Sequence, residues 1–144
     1  MSAYKKVLLV VDLSDNSEHI GRRATAVAEA NGAELELLHV IEYVPVEPMG
    51  ETLMPAVEIE EELIQRARRG LSELAVKLGL TDSPCYVEVG NIKAEILRVA
   101  IDHAVDLIVI GSRERHGLAI LVNFTEDAVL HGAPCDVLAI RVRD

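Results

Sequence analysis

VDLIVIGSRERHGLAILVNFT, residues Val105–Thr125, is the stretch whose reading decides the fold. Asp106–Ile110 is a short run that turns wholly apolar, which is how a strand reads when both faces of its sheet are covered by helices. Gly111 ends the run, and a helical pattern from about Leu118 to His131 follows. A glycine turn between a buried strand and a helix is where an open α/β sheet presents its ligand site.

The same alternation extends in both directions. Upstream, Val7–Val11 is a second uninterrupted apolar run, stopped by Asp12, with the potential helix caps Ser14, Asp15, Asn16 and Ser17 behind it. Ile20, Ala24, Val27 and Ala28 then form one helical face, closed by Asn31 and Gly32. Glu34–Ile41 alternates before turning apolar, and predicts the second strand. Residues 42–56 contain Pro45, Pro48, Gly50 and Pro55, which predicts a long connection without one regular element. Helical spacing resumes at Val57 with Leu63, Ala67, Leu71, Leu74, Ala75 and Leu78, and four glutamates lie at what would be its first turns. Cys85–Val89 is the third strand, Asn91 caps a helix carrying Ile92, Ile96, Val99 and Ala100, and Asp136–Val142 closes the chain as the fifth strand. Five strands alternating with helices, joined by right-handed crossovers, give one doubly wound parallel sheet in the order 3-2-1-4-5. That order sets strands one and four side by side, so Asp12 and Gly111 should meet at the mouth of one crevice.

Composition bounds what such a domain can do. The 144 residues suit a single domain over 1–144, half of them are hydrophobic, and a lone Phe with no Trp leaves the core to Val, Ile, Leu and Ala. A net charge of −10 argues against nucleic-acid binding, which draws its affinity from Lys and Arg at phosphates. The longest apolar runs are too short to insert into a membrane, and MSAYKK lacks the apolar core of a signal peptide, so a cytoplasmic protein is expected. Cys85 and Cys135 have neither metal-ligand nor redox-pair spacing and read as buried, reduced thiols. His39, His103, His116 and His131 form no metal-ligand pattern, so no metal site is expected. His19-Ile20-Gly21-Arg22 is superficially similar to a nucleotidyl transferase signature, but its fourth residue is Arg and Ile20 already belongs to a helical face. G-x-S-x-G, G-x-x-x-x-G-K-[ST] and H-E-x-x-H are absent from the chain, and no catalytic residue is expected.

Asp12-Leu13-Ser14 after the first strand, DLIVIGSR at 106–113 and APCDVLAIRV at 133–142 together resemble the universal stress protein family. The resemblance runs from Tyr4 to the end of the chain and implies a Rossmann-like fold and a stress-response role. Nucleotide-binding members of that family carry G-x-x-G-x9-G-[ST] after the fourth strand, because backbone N–H groups cradle phosphate only where no side chain intervenes. Laid on this chain, the motif falls on Gly111, Glu114, Phe124 and Thr125, so one of its three glycines remains. A Glu114 carboxylate held ~4 Å from a phosphate charge at an effective dielectric of about 20 would cost about 4 kcal/mol. Phe124 would bring a ring to the same space.

The degenerate motif makes the expected protein one of the universal stress protein A type, non-catalytic and without bound ATP. The alternative is an ATP- or AMP-binding stress sensor with little or no ATPase activity. In that alternative, resemblance would line the site with Asp12, Val40, Gly111 and Thr125, while Arg113 or Arg115 reached the phosphates. Without a ligand, Asp12 reads as a turn residue and Val40 as core. The last strand adds a separate expectation: nothing in the sequence after it can cover its outer edge. Asp136, Val137, Leu138, Ala139, Ile140, Arg141 and Val142 would therefore pair with a second copy about a two-fold axis. The resemblance also implies such a homodimer, with further protein partners unknown.

Overall fold

The computed structural model describes residues 3–42, 53–113, 129 and 131–142. Its elements run β1 (Lys6–Val10), α1 (Ser17–Asn31), β2 (Glu34–Glu42), α2 (Leu53–Lys77), β3 (Cys85–Gly90), α3 (Ile92–Asp102), β4 (Leu107–Arg113) and β5 (Asp136–Val142). The five strands are all parallel and form one sheet in the order β3-β2-β1-β4-β5. The strand order is the one the alternation predicts.

Alternate side chains of the strands feed two separate cores. Val7, Leu9, Leu35, Leu37 and Val109 pack with Ile20 and Ala24 of α1 and Leu71 and Leu74 of α2. On the opposite face Leu8, Val10, Leu38, Ile108 and Ile110 pack with Ile96, Val99 and Ala100 of α3 and with Val129. Each fully buried Leu, Ile or Val contributes roughly 1.5–3 kcal/mol relative to leaving it in water. β1 contributes to both cores at once, which is why Val7–Val11 had to be apolar without a break.

Local chemistry fixes most boundaries. α1 ends at Gly32, whose φ of 62° is left-handed and whose N–H returns to the carbonyls of Ala28 and Glu29. Asn91 caps α3 as expected, accepting from the Ala94 N–H at 2.9 Å. Two boundaries differ from the sequence reading. α2 begins at Leu53, four residues before Val57, and Pro55 sits in its first turn, where a missing N–H costs no helical hydrogen bond. The glutamates at 58–62 consequently fall beyond that first turn, out of reach of most of the helix dipole. β4 continues through Gly111 to Arg113 because β5 stays paired with it as far as Arg113↔Val142. Of the helix expected over Leu118–His131, residues 118–128 and 130 lie outside the described residues, while Val129, His131 and Gly132 are helical. Among the described residues no helix is long and apolar enough to cross a membrane.

Side chains also tie the amino ends of the strands together. Asp106 accepts from the N–H groups of Lys5 (2.8 Å) and Lys6 (3.0 Å), fixing β1 against β4, and the Tyr4 hydroxyl donates to Asp136 Oδ2 at 2.9 Å. That hydrogen bond, with burial and the charges of Asp136 and Asp106, raises the Tyr4 pKa above its ordinary 10.0. The fold therefore holds the phenol proton more tightly than the unfolded chain, so this contribution to stability is complete below the ordinary value and lost as pH rises through the raised one. Replacing Asp136 with Asn should bring the ionisation of Tyr4 down towards its ordinary value. An ultraviolet absorbance titration comparing natural and variant protein isolates this tyrosine; superimposable curves would refute the link.

Candidate functional site

The crevice arises where β1 and β4 part. Their register runs Val7↔Leu107, Leu8↔Ile108 and Leu9↔Val109, whereas β4 stays paired with β5 for four residues more, from Ile110 to Arg113. At the same end, Val11 turns away to pair its N–H with the Leu38 carbonyl, at 3.0 Å. This is the switch point of the sheet: α1 leaves β1 on one face, while α3 enters β4 from the other.

Asp12 follows directly and is exposed. Its Oδ1 accepts from the Ser14 N–H at 2.9 Å and from the Ser17 hydroxyl at 3.4 Å, so the carboxylate organises the turn that starts α1. The helix has Asn16 at its N-cap without a side-chain cap bond, and Asp12 takes over part of the work that the four polar residues at 14–17 were expected to do. Leu13 adopts a left-handed φ of 61°, unusual for a non-glycine residue, and its side chain lies against Gly70 of α2. The turn is thereby braced on both sides.

Val40 lies near the carboxyl end of β2, buried in the α3-side core with 7% exposure. Its neighbour His39 points the other way, with Nδ1 at 2.8 Å from the Val11 carbonyl oxygen, so Nδ1 carries the proton and the histidine is a satisfied sheet-end residue. Gly111 lies within β4, not in a turn after it. A Cβ built there would stand 2.5 Å from Ile20 Cδ1 and 3.4 Å from Val142 Cγ2. A side chain at 111 would meet the end of Ile20, which the first turn of α1 packs across the strand at that point. Arg113 is the last residue of β4, and Glu114, Arg115, Phe124 and Thr125 lie outside the described residues.

Asp136–Val142 forms the edge strand β5, with Leu138, Ile140 and Val142 turned to the α1 side, Val137 to the α3 side, and Asp136, Ala139 and Arg141 exposed. β3 is the other edge, and Cys85 at its start is exposed there, not buried as its strand-like context predicts, while Cys135 just before β5 is half-buried.

Sequence reasoning did not find a buried polar pair at the opposite end of the sheet. Glu36, alternating with Leu35 and Leu37, faces the α3-side core with 4% exposure. His103, at the C-cap of α3, sets Nδ1 2.8 Å from Glu36 Oε1, and Lys6 Nζ lies 4.0 Å from Oε2. A carboxylate only accepts, so His103 donates. Tyr86 meets the His103 ring edge-on at 4.8 Å between centroids, and burial first, then Glu36, raises its pKa. A groove of about 630 Å³, lined in part by Lys6, Glu34, Glu36, Ser83 and Tyr86, opens beside this pair. It lies at the amino ends, away from the switch point. The sequence held one signal, a charged residue at an inward-facing strand position, but the partner is 67 residues away. Among the described residues no group of three or more His, Cys, Asp or Glu could hold a metal ion.

With this geometry in view, a model described as the universal stress protein family matches residues 3–141. The chain belongs to the universal stress protein family. Within it, the chain is broadly of the universal stress protein A-like type. It is 35% identical over 144 residues to universal stress protein A homolog 2 of Coxiella burnetii, with 99% of each chain covered. Homolog 1 of the same organism is 36% identical over 142 residues, covering 98% of this chain and 99% of the relative. Among solved structures, universal stress protein UspA from Lactobacillus plantarum superposes with a TM-score of 0.74 at 24% identity, covering 98% of this chain and 100% of that one. A universal stress protein in complex with cAMP gives 0.69 at 22% identity, covering 96% and 98%. At such identities the two superpositions speak for the fold.

The packing explanation of Gly111 is open to a direct check. Gly111→Ala should destabilise the protein by about 1–3 kcal/mol, the usual range for an extra methyl group in a packed core. Ile20→Val, which deletes the obstructing Cδ1, should recover much of that loss in the double variant. Denaturant unfolding of the four proteins measures the coupling, and additive penalties would show that Ile20 is not what excludes a side chain at 111.

Proposed function

We propose that this chain is a non-catalytic, homodimeric stress-response protein of the universal stress protein A type, a single cytoplasmic domain over 1–144 that acts through protein contacts without bound ATP. The observation that carries the reading is the use the chain makes of its own crevice: the space at Gly111 faces Ile20 and Val142, and the Asp12 carboxylate is engaged in the turn to α1. Glu114 and Phe124, standing where the phosphate motif has glycine, support it from sequence. The identity to the two Coxiella burnetii universal stress protein A homologs supports the same type.

A second reading is a nucleotide-binding sensor, favoured by the fold-level likeness to a universal stress protein in complex with cAMP. Asp12, Val40 and Gly111 lie at the carboxyl ends of three adjacent strands, as that reading needs; Arg113 or Arg115 would serve the phosphates, and Thr125 would close the site. Calorimetric titration with ATP, and separately with cAMP, distinguishes the two. The natural protein should show no micromolar affinity, and a Glu114→Gly, Phe124→Gly double variant should gain ATP binding, by up to about a thousandfold if the full charge repulsion of about 4 kcal/mol is relieved. Micromolar binding by the natural protein would establish the sensor instead.

The homodimer is proposed at the outer edge of β5, where among the described residues no strand pairs with the backbone row opposite β4. Light scattering in about 1 M salt, where the Debye length is about 3 Å and ionic contacts are screened, should give twice the chain mass of 15.7 kDa. A monomer mass under that condition would sink the β5 pairing.

A further inference from the structure

We propose that α2 carries a second self-association surface, an antiparallel contact between the Ile59–Arg69 stretches of α2 in two copies, held together by complementary charge. At 25 residues and 1.5 Å per residue the helix is about 37 Å long, and among its residues from Ile59 onward the buried positions begin at Ala67. Ile59, Leu63, Ala67 and Leu71 follow one another at i,i+4 on one stripe. Ala67 and Leu71 are buried at 6% and 0%, whereas Ile59 and Leu63 are 57% and 42% exposed. The core stripe thus continues for two turns past the point where the sheet stops covering it.

Charge identifies what covers it. Glu60, Glu61 and Glu62 precede Leu63, and Arg66, Arg68 and Arg69 follow it within two turns. The arginines and the last two glutamates are exposed, and among the described residues none of the six makes an ion pair. An acidic block followed by an arginine block is complementary to itself when reversed. Antiparallel pairing centred near Ile64 sets Glu62 of each copy opposite Arg66 of the other, Glu60 opposite Arg68, and the two Leu63 residues near the axis. Parallel pairing would set like charges together, and a net charge of −10 opposes association of two copies over most other surfaces. The occupant is therefore a second copy. α2 packs on β2 and β3, away from β5, so this contact neither needs nor blocks pairing at the β5 edge.

Two charge-reversed variants test it, Glu61→Arg with Glu62→Arg, and Arg66→Glu with Arg69→Glu. By light scattering, the natural chain in low salt should have twice the mass it has in about 1 M salt. Each variant alone should stay at the high-salt mass, because its α2 then repels its own copy. An equal mixture of the two should regain the doubled mass and lose it again in high salt. The high-salt mass reports β5 pairing by itself, so failure of either contact is visible apart from the other. A natural chain with the same mass in both salts, variants that keep the doubled mass alone, or a mixture that does not combine would each overturn the proposal; the first is expected if another part of the same chain covers Ile59 and Leu63. Circular dichroism checks folding, and should a double reversal unfold, Glu62→Arg and Arg66→Glu mixed in the same way decide the matter.

Discussion

The burial of β1 on both faces is the constraint from which the rest of the structure follows. With neighbours on both sides and helices above and below, Val7 to Val11 have no solvent-facing position, and all five are nearly inaccessible. A strand in that place allows helices to leave and arrive on opposite faces, which is what makes the boundary between β1 and β4 the switch point. Once their pairing ends at Leu9↔Val109, Val11 bonds to β2 while β4 carries on with β5. The crevice is a consequence of how the central strand is shared.

One packing contact borders that crevice. Gly111 at a strand end before a predicted helix invites comparison with a phosphate cradle, since absence of a side chain is what such a cradle requires. The same absence leaves room on β4 for the ends of Ile20 and Val142. One residue type satisfies two different physical demands, and only the position of α1 tells them apart. The strained Leu13 backbone and its contact with Gly70 belong to the same arrangement, because they hold the turn that aims Ile20.

Charge is distributed in two regimes. Glu36 is inside, where a carboxylate is tolerated only with partners, and His103, Lys6 and the nearby Tyr86 surround it. Between Glu61 and Arg69 of α2 the charges are outside and make no ion pair among the described residues, beside the exposed Ile59 and Leu63. The first arrangement ties the end of α3 to the inward face of β2. The second leaves a surface whose pattern, acid before arginine, has a direction and can therefore select its own copy in reverse.

Periodicity located the five strands and the first three helices, because a strand buried on two faces and a helix buried on one leave different spacings of apolar residues in the chain, and right-handed crossovers then gave the sheet order. Caps that act within a few residues were equally legible, as Asn91 and Gly32 show. The start of α2 at Leu53 was not, since Pro55 reads as a breaker unless its place in the first turn is known. Nor was the extension of β4 past Gly111, which depends on a partner strand some 30 residues later in the chain. The Glu36–His103 pair, the fit of Ile20 over Gly111 and the exposure of Leu63 all depend on what lies across a space, and spacing along a chain carries no record of that. The family and its fold were thus written in the local pattern, while the contacts that border the crevice were decided by tertiary packing, of which spacing along a chain keeps no record.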